Sequence, residues 1–342
     1  MNATTIGLDI AKNVFQVHGV DKGGKVVLRK QLKRAQVLTF FANLSPCLIG
    51  LEACAGAHYW ARELGKQGHE ARLISPQFVK PYVKGNKNDR NDAEAICEAV
   101  GRPNMRFVPV KSVESQDILA LHRVRRGLVK ERTAKVNQLR GLLGECGIVI
   151  GQGLAQVRKR LPEILEDGEN GLSSLGRELF ADLYRQVLEL DRQVDAYGVK
   201  LQRLYAASAV CRKMGRVPGV GPITASAMAA SLGGGQAFES GRQVSAWLGL
   251  VPRQESSGGK PKLLGISKRG DTYLRTLLIH GARAVVKTAA RKSDAQSRWI
   301  NDLVRRRNKN IAAVALANKN ARTLWALLRR GEDYRAPVLH NA

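Results

Sequence analysis

The sequence predicts a mixed α/β N-terminal domain, a long helical middle and a mainly α-helical C-terminal domain. Three observations carry this. Residues 4–111 run through three short apolar or alternating segments and then alternate between helix-like and strand-like patterns. Residues 112–206 change to long helical periodicity, and from 207 onward shorter helices return between glycine-rich turns. The domains are therefore placed at 1–111, 112–206 and 207–330, with a tail at 331–342.

In order, "TTIGLDIA" is an apolar strand, "VFQVHGV" alternates as a second, and "KVVLRKQL" follows the Gly23-Gly24 turn as a third. "AQVLTFFANL" is a short helix, "CLIGLEA" a buried strand, "HYWARELGKQG" a glycine-closed helix and "EARLIS" a further strand before the helix that begins near residue 89. Strand–helix alternation in the second half implies a largely parallel sheet there, with antiparallel hairpins at the start. "ILALHRVRRGLVKERTAKVNQLRGLL" is a basic helix, with Leu121, Val124, Leu128, Val136, Leu139 and Leu143 at near-helical spacing. Leu183, Val187, Leu190, Val194, Tyr197, Leu201 and Leu204 alternate steps of four and three, a heptad seam. The two helices, with a Gly-containing loop near 165–176 between them, suit a coiled-coil or dimerisation arm, or an ordinary helix pair on a core. Beyond 207 come "VPGVGPITASAM", a Gly-rich turn before a small-residue helix, then "SGRQVSAWLGL", a basic Gly/Ser loop, and three more helices to residue 330.

Formal net charge is +27, with 44% hydrophobic residues. That hydrophobic content is ordinary for a globular chain. The charge favours a polyanionic partner, because each phosphate neutralised by Lys or Arg releases condensed counterions. No run of about 18 apolar residues suggests a membrane span, and the N-terminus lacks signal-peptide features. The five cysteines, Cys47, Cys54, Cys97, Cys146 and Cys211, are scattered without a C-x-x-C pair, so neither a zinc site nor a disulfide framework is expected. The expected setting is a reducing cytoplasm, in association with nucleic acid.

Four acidic residues stand among apolar neighbours. Asp9 interrupts the first strand and Glu52 ends a later one. Asp89 and Asp92, three apart, share a helix face that continues through Ile96 and Ala99, so they head the apolar stripe. Burying carboxylates in this way is costly without a cation. An oxygen-only donor set favours Mg²⁺, with Mn²⁺ as a substitute, over zinc. Two such ions about 4 Å apart can activate an attacking oxygen and steady a leaving one at phosphorus. Glu94 falls on the opposite side of the helix and is expected to face solvent.

"PRQESSGGKPK" places Ser256 and Ser257 before two glycines, among Arg253, Lys260, Lys262, Lys268 and Arg269. By residue chemistry alone such a loop contacts phosphate, since most contacts only position a nucleic acid. A serine becomes a nucleophile only when its proton is removed or its oxygen polarised. Gly219 and Gly221 in "VPGVGPITASAM" suit either a backbone phosphate site or close packing. Arg305, Arg306 and Arg307 in "LVRRRNKN" and the basic helix at 123–140 are candidate backbone contacts. The four tryptophans are expected in cores, and the six histidines show no ligand spacing.

The motifs "GLDIAK" (7–12), "GLEACAGAHYW" (50–60), "KNDRNDAEAI" (87–96), "VPGVGPITA" (217–225) and "GLVPRQESSGGKPKLLGISKRGDTYLR" (249–275) span nearly the whole chain. The N-terminal layout resembles the RNase H-like, or RuvC-like, nuclease fold. With the C-terminal part, the chain resembles the DEDD transposases of the IS-one-ten insertion-sequence family. That resemblance implies a catalytic and metal-binding tetrad of Asp9, Glu52, Asp89 and Asp92 and a C-terminal domain with a helix-hairpin-helix-like motif. It also implies a nucleophilic serine, assigned to Ser257 with Ser256 as the alternative. It further implies DNA cutting and rejoining through a phosphoserine link, guided by a structured bridge RNA that pairs with donor and target DNA. The same resemblance implies a homo-oligomer, dimer or tetramer, with active sites shared between subunits, in a bacterial or archaeal cytoplasm beside the nucleoid.

Rival functions share some of these features. A RuvC-like Mg²⁺-dependent junction resolvase or nuclease would use water and need no serine. An actin-like sugar kinase could use "IGLDIA" as a phosphate loop, but the +27 charge opposes it. A non-catalytic regulator has no use for buried carboxylates.

Overall fold

The structure is a computed structural model that describes residues 3–85 and 88–336. Residues 1–2, Asn86, Lys87 of the third motif and residues 337–342 of the tail lie outside the described residues. The chain divides into two compact units, Met1–Val113 and Glu114–Ala342.

The first unit is built on a six-stranded sheet in the order β3-β2-β1-β4-β5-β6. Its elements are β1 (Thr5–Ile10), β2 (Val14–Val20), β3 (Val26–Lys33), α1 (Val37–Ala42), β4 (Leu48–Glu52), α2 (Ala57–Lys66), β5 (Glu70–Ile74), α3 (Pro76–Val79), α4 (Asp89–Val100) and β6 (Phe107–Val108). β1–β2 and β2–β3 are antiparallel hairpin pairs, whereas β4 lies parallel to both β1 and β5. This is the antiparallel-then-parallel order that the sequence pattern predicts. The short β6, antiparallel to β5, and α3 are additions to that pattern.

Period-two alternation sorts the two sheet faces. Ile6 and Leu8 of β1 join Phe15, Val17, Leu28 and Leu32 in a core beneath α1 and α2. The opposite face carries Gly7 and Asp9, and α4 lies directly on it. A Cβ built on Gly7 would fall 2.0 Å from the Ala93 carbonyl oxygen, and one on Gly50 would fall 2.7 Å from the Val100 Cβ. Glycine at these two positions lets the helix backbone rest on the strands. Asn88 caps α4, its side chain accepting the Asn91 N–H at 2.9 Å. The apolar stripe expected below Asp89 and Asp92 is present, with Ile96 and Ala99 fully buried.

The second unit contains α5 (Val113–Glu145), α6 (Leu154–Glu166), α7 (Ser174–Ala207), α8 (Ala209–Gly215), α9 (Pro222–Leu232), α10 (Gly241–Trp247), β7 (Pro252–Gln254), β8 (Leu263–Ile266), α11 (Thr272–Ala289), α12 (Ala295–Arg306) and α13 (Lys309–Arg330). The Gly-containing loop expected near 165–176 lies between α6 and α7, and α6 is a helix added between the two long ones. It contains Pro162, whose missing N–H leaves the Arg158 carbonyl without its helical partner. The Tyr184 hydroxyl donates to that oxygen at 3.4 Å. Val136, Leu139 and Leu143 of α5, Val157, Leu161 and Ile164 of α6, and Phe180 and Val187 of α7 form one apolar cluster. Asp191 on α7, almost wholly buried, pairs with Arg132 of α5 and Arg158 of α6 and ties the three helices together. A second cluster runs from Cys211 to Leu327. The half-buried Trp247, Trp299 and Trp325 pack against it.

His122 of α5 is buried between α9 and α11. Ser226 Oγ donates to the Pro222 carbonyl at 2.8 Å, so it accepts from His122 Nε2–H at 3.0 Å. His122 Nδ1 then accepts from the Tyr273 hydroxyl at 3.0 Å. The neutral ring satisfies both neighbours, and an added proton would displace the Tyr273 bond. Burial first, and then Arg125, push the His122 pKa down from 6.5 to about 4. The stabilisation from a neutral His122 is complete above about pH 6.5 and is lost as pH falls toward 4, a total of roughly 3 kcal/mol. Urea midpoints between pH 7.5 and 4.5 are expected to show this loss in the native chain and not in His122→Gln. Equal pH slopes in the two proteins would contradict it.

Candidate active site

Asp9 and Glu52 follow directly on Leu8 and Leu51, which face each other across the parallel β1–β4 pair. Both carboxylates thus leave adjacent strands at the same end of the sheet. Asp89 and Asp92 form the first turn of α4, which packs on the Asp9 face of β1. Asp92, Asp89 and Glu52 are each near enough to act on Asp9. Burial, followed by the charges of Asp92, Asp89 and Glu52, pushes the Asp9 pKa from 3.8 up to about 6. The adjacent Cys54 thiol is also pushed up by burial, Glu52 and Asp9, which keeps it protonated and a poor ligand.

Among the described residues, no three His, Cys, Asp or Glu side chains are drawn tightly enough together to enclose a metal ion. The donor chemistry nevertheless fits a divalent cation. The donors are oxygen only, and the half-buried Asp9 resists ionisation beside three like charges that a cation would offset. Glu94 departs from the sequence expectation. Its half-buried carboxylate lies 3.9 Å from Arg29 and 4.0 Å from Lys84 rather than facing open solvent.

In the second unit, the segment read as a basic loop is a β-hairpin. β7 and β8 pair antiparallel, and Ser257 bridges Lys260 across the tip. Gly258 and Gly259 both have positive φ, 57° and 76°, and Lys260 N–H donates to the Ser257 carbonyl at 3.1 Å. This is a two-residue turn that needs left-handed backbone at both centres, which explains the paired glycines. The two serines differ in their surroundings. Ser256 Oγ accepts from Gln254 Nε2 at 2.9 Å and from Lys262 N–H at 3.3 Å. Among the described residues the Ser257 hydroxyl has no hydrogen-bond partner, and the residue is exposed.

Arg253, Lys260, Lys262, Lys268 and Arg269 are all exposed around this hairpin. Its root is held tightly. A Cβ on Gly249 would lie 2.1 Å from the Arg269 carbonyl, and one on Gly270 would lie 1.8 Å from that of Trp247. Arg275 is a residue that sequence reasoning missed. Its buried guanidinium donates to the Leu248 and Arg269 carbonyls at 3.0 and 3.1 Å and to Thr272 Oγ1 at 3.2 Å, joining the end of α10 to the basic turn. An arginine three residues into a helix looks like a solvated surface cation, so no sequence signal marks it.

Gly219 has a φ of 85°, and its Cβ position would lie 2.8 Å from the Gly281 carbonyl, so this glycine serves close packing of the turn against α11. Gly221 caps α9 with open space on its Cβ side. Arg305 pairs with Asp302, Arg306 donates to the Asp302 carbonyl at 3.3 Å, and Arg307 caps α12.

Comparison with known proteins points to one family. Residues 6–148 match the IS110 DEDD transposase domain, and residues 211–298 match the domain of the Transposase IS116/IS110/IS902 family. A "Probable family 20 transposase" of Pseudomonas aeruginosa is 55% identical, over 98% of this chain and 99% of its own length. The transposase for insertion sequence element IS1111A of Coxiella burnetii is 48% identical, over 96% of this chain and 91% of its own. That for IS1328 of Yersinia enterocolitica is 43% identical, over 96% and 98%. The first of the two matched domains covers all four carboxylates and the second covers the serine hairpin, so the chain belongs to the IS110 family of transposases.

Proposed function

We propose that this transposase cuts and rejoins DNA strands with two chemical elements: a divalent-metal site formed by Asp9, Glu52, Asp89 and Asp92, and a nucleophilic Ser257. The observation that carries the proposal is that Asp9, at one end of the sheet, is raised to about 6 by burial and then by the charges of Asp92, Asp89 and Glu52. Mg²⁺, when bound there, supplies a Lewis acid for the scissile phosphate. The chain's own residues do the rest. The Ser257 oxygen forms a bond to phosphorus as the bond to the departing deoxyribose oxygen breaks. The proton lost from the serine is balanced by the one taken up at that oxygen. The phosphoserine link keeps the ester's energy for rejoining to a new strand. Lys260, Lys262, Lys268, Arg253 and Arg269 offset charge on the phosphoryl oxygens. The +27 excess supports a second polyanion, a structured guide RNA that pairs with donor and target DNA. A homo-oligomer in which the two chemical elements come from different subunits belongs to the same reading, but the heptad seam of α7 does not carry it, because Val187, Leu190, Val194 and Leu201 are buried within one chain, as in an ordinary helix pair on a core.

Denaturing-gel trapping of protein on labelled transposon-end DNA, with guide RNA and Mg²⁺ present, tests the nucleophile. Ser257→Ala is expected to abolish the covalent species, whereas Ser256→Ala, which removes a hairpin-internal bond, is expected to retain it. Capture retained by Ser257→Ala and lost by Ser256→Ala would reassign the nucleophile. Cleavage with no covalent species in the native protein would favour attack by water.

A further inference from the structure

A cleft of about 360 Å³ opens on the sheet face that carries Asp9, bounded by β2, β3 and the first turns of α4. That is within the size range of small-ligand sites, roughly 300–1,000 Å³. Strand register determines what lines it. Asp9 faces Gln16 across β1–β2, and Gln16 faces Gln31 across β2–β3, so the three side chains form one row on one face. The next row is Gly7, His18 and Arg29. His18 is buried and forms part of the floor. From α4, Arg90, Asn91 and Glu94 close the other side. Lys30 also borders the cleft, but its ammonium lies 5.0 Å from the Phe40 ring on the opposite sheet face and is engaged there.

The cleft is therefore polar and basic, with Arg29 and Arg90 exposed at its mouth and Lys84 at the rim beside Glu94. Glu94 offsets part of this charge and sits 3.9 Å from Arg29. Neighbouring strands are about 4.8 Å apart, so the row from Asp9 to Gln31 extends roughly 10 Å. At about 3.4 Å of rise per nucleotide, that length spans about two or three nucleotides. A small apolar ligand has little to hold here, whereas a sugar–phosphate chain finds guanidinium groups for its phosphates and carboxamides for its sugar or base edges.

We propose that this cleft holds the DNA nucleotides beside the scissile phosphate, with Arg29 and Arg90 contacting phosphates and Gln16 and Gln31 contacting sugar or base edges. The inference rests on the carboxylate assignment above, because it takes Asp9 as the end of the track. It adds a direction: the strand leaves the carboxylates across β2 and β3.

Photocrosslinking of the full chain tests it. The probe is a single-stranded DNA of about six nucleotides carrying 4-thiothymidine, long enough to span the row. Crosslinking is done in EDTA, so that catalysis is not required, and the adducts are mapped by peptide mass spectrometry. Adducts are expected within residues 14–31 and 88–94. The double variant Arg29→Ala/Arg90→Ala is expected to lower their yield about tenfold or more. Arg29→Lys/Arg90→Lys is expected to retain most of it, and Glu94→Gln to raise it. Unchanged adducts in the alanine variant, or adducts with an RNA probe of the same sequence and none with DNA, would overturn the inference. Asp9→Asn is expected to keep the adducts while losing cleavage. If it still cleaves, the carboxylate assignment fails; if it does not, and the adducts ignore Arg29 and Arg90, only the cleft fails.

Discussion

Replacing Asp9 by asparagine is expected to abolish DNA strand cleavage and, in the same protein, to raise the melting temperature measured in EDTA. Asp9 is pushed up to about 6, first by burial and then by Asp92, Asp89 and Glu52. Its folded pKa thus exceeds its unfolded value of 3.8, so the folded chain holds this proton more tightly. The ionised carboxylate costs stability above about pH 6, and the cost is relieved as pH falls from 6 toward 3.8. The full shift corresponds to about 3 kcal/mol, which partial exposure and solvent screening reduce to roughly 1–2 kcal/mol. Asparagine keeps the shape and removes the charge, for an expected gain of about 2–6 °C at pH 8. If Asp9 helps to hold the Lewis acid, as proposed above, its loss removes several kcal/mol of transition-state stabilisation, on the order of 10³-fold in rate or more. Calorimetry and a cleavage assay on one preparation read both effects. A variant that melts lower, or that cuts at the native rate, would contradict the assignment. Stability exchanged against activity in this way is common where charges are held together for chemistry.

Gly7→Ala is expected to be among the most damaging single substitutions in the first unit. The new methyl would lie 2.0 Å from the Ala93 oxygen and 2.4 Å from the Cys97 nitrogen, both backbone atoms that no side-chain rotation can clear. α4 must lift from β1, at an expected cost of about 3 kcal/mol or more. Asp89 and Asp92 travel with α4, so strand cleavage is lost along with stability. Gly65→Ala is the matched control. It lies within α2, and nothing stands within 4 Å of its Cβ position. Alanine there is expected to be neutral or to stabilise by about 0.5–1 kcal/mol. Urea unfolding of the two variants beside the native chain measures the contrast, and similar midpoints for both would refute the packing account.

Much of the first unit was legible because its strands and helices carry regular patterns. β1 to β5, α1, α2 and α4 all lie where apolar alternation or helical spacing puts them, and Asp9, Glu52, Asp89 and Asp92 stood out as charges breaking those patterns. β6 was not legible, since two residues pairing with Leu73 and Ile74 carry no periodic signal. α6 was hidden by Pro162, whose helix-breaking tendency is answered by Tyr184, a residue distant in sequence. The serine hairpin was hidden for another reason. β7 is three exposed residues and β8 a four-residue run of Leu, Leu, Gly and Ile, too short and without the polar–apolar alternation that marks a half-buried strand, so only the Gly258-Gly259 turn marks the hairpin. Arg275 and the β2–β3 cleft depend on contacts between distant segments and on register, which one-dimensional spacing does not encode.

The hairpin that bears Ser257 is a cantilever. Its root is wedged by Gly249 and Gly270 and bolted by Arg275, while β7 is wholly exposed and β8 is covered only in part, at Leu264 and Ile266. An isolated pair of strands is only marginally stable in water. If Ser257 is the nucleophile, as proposed above, its hydroxyl is aimed by the wedged root and would be braced only once a phosphate lies against it.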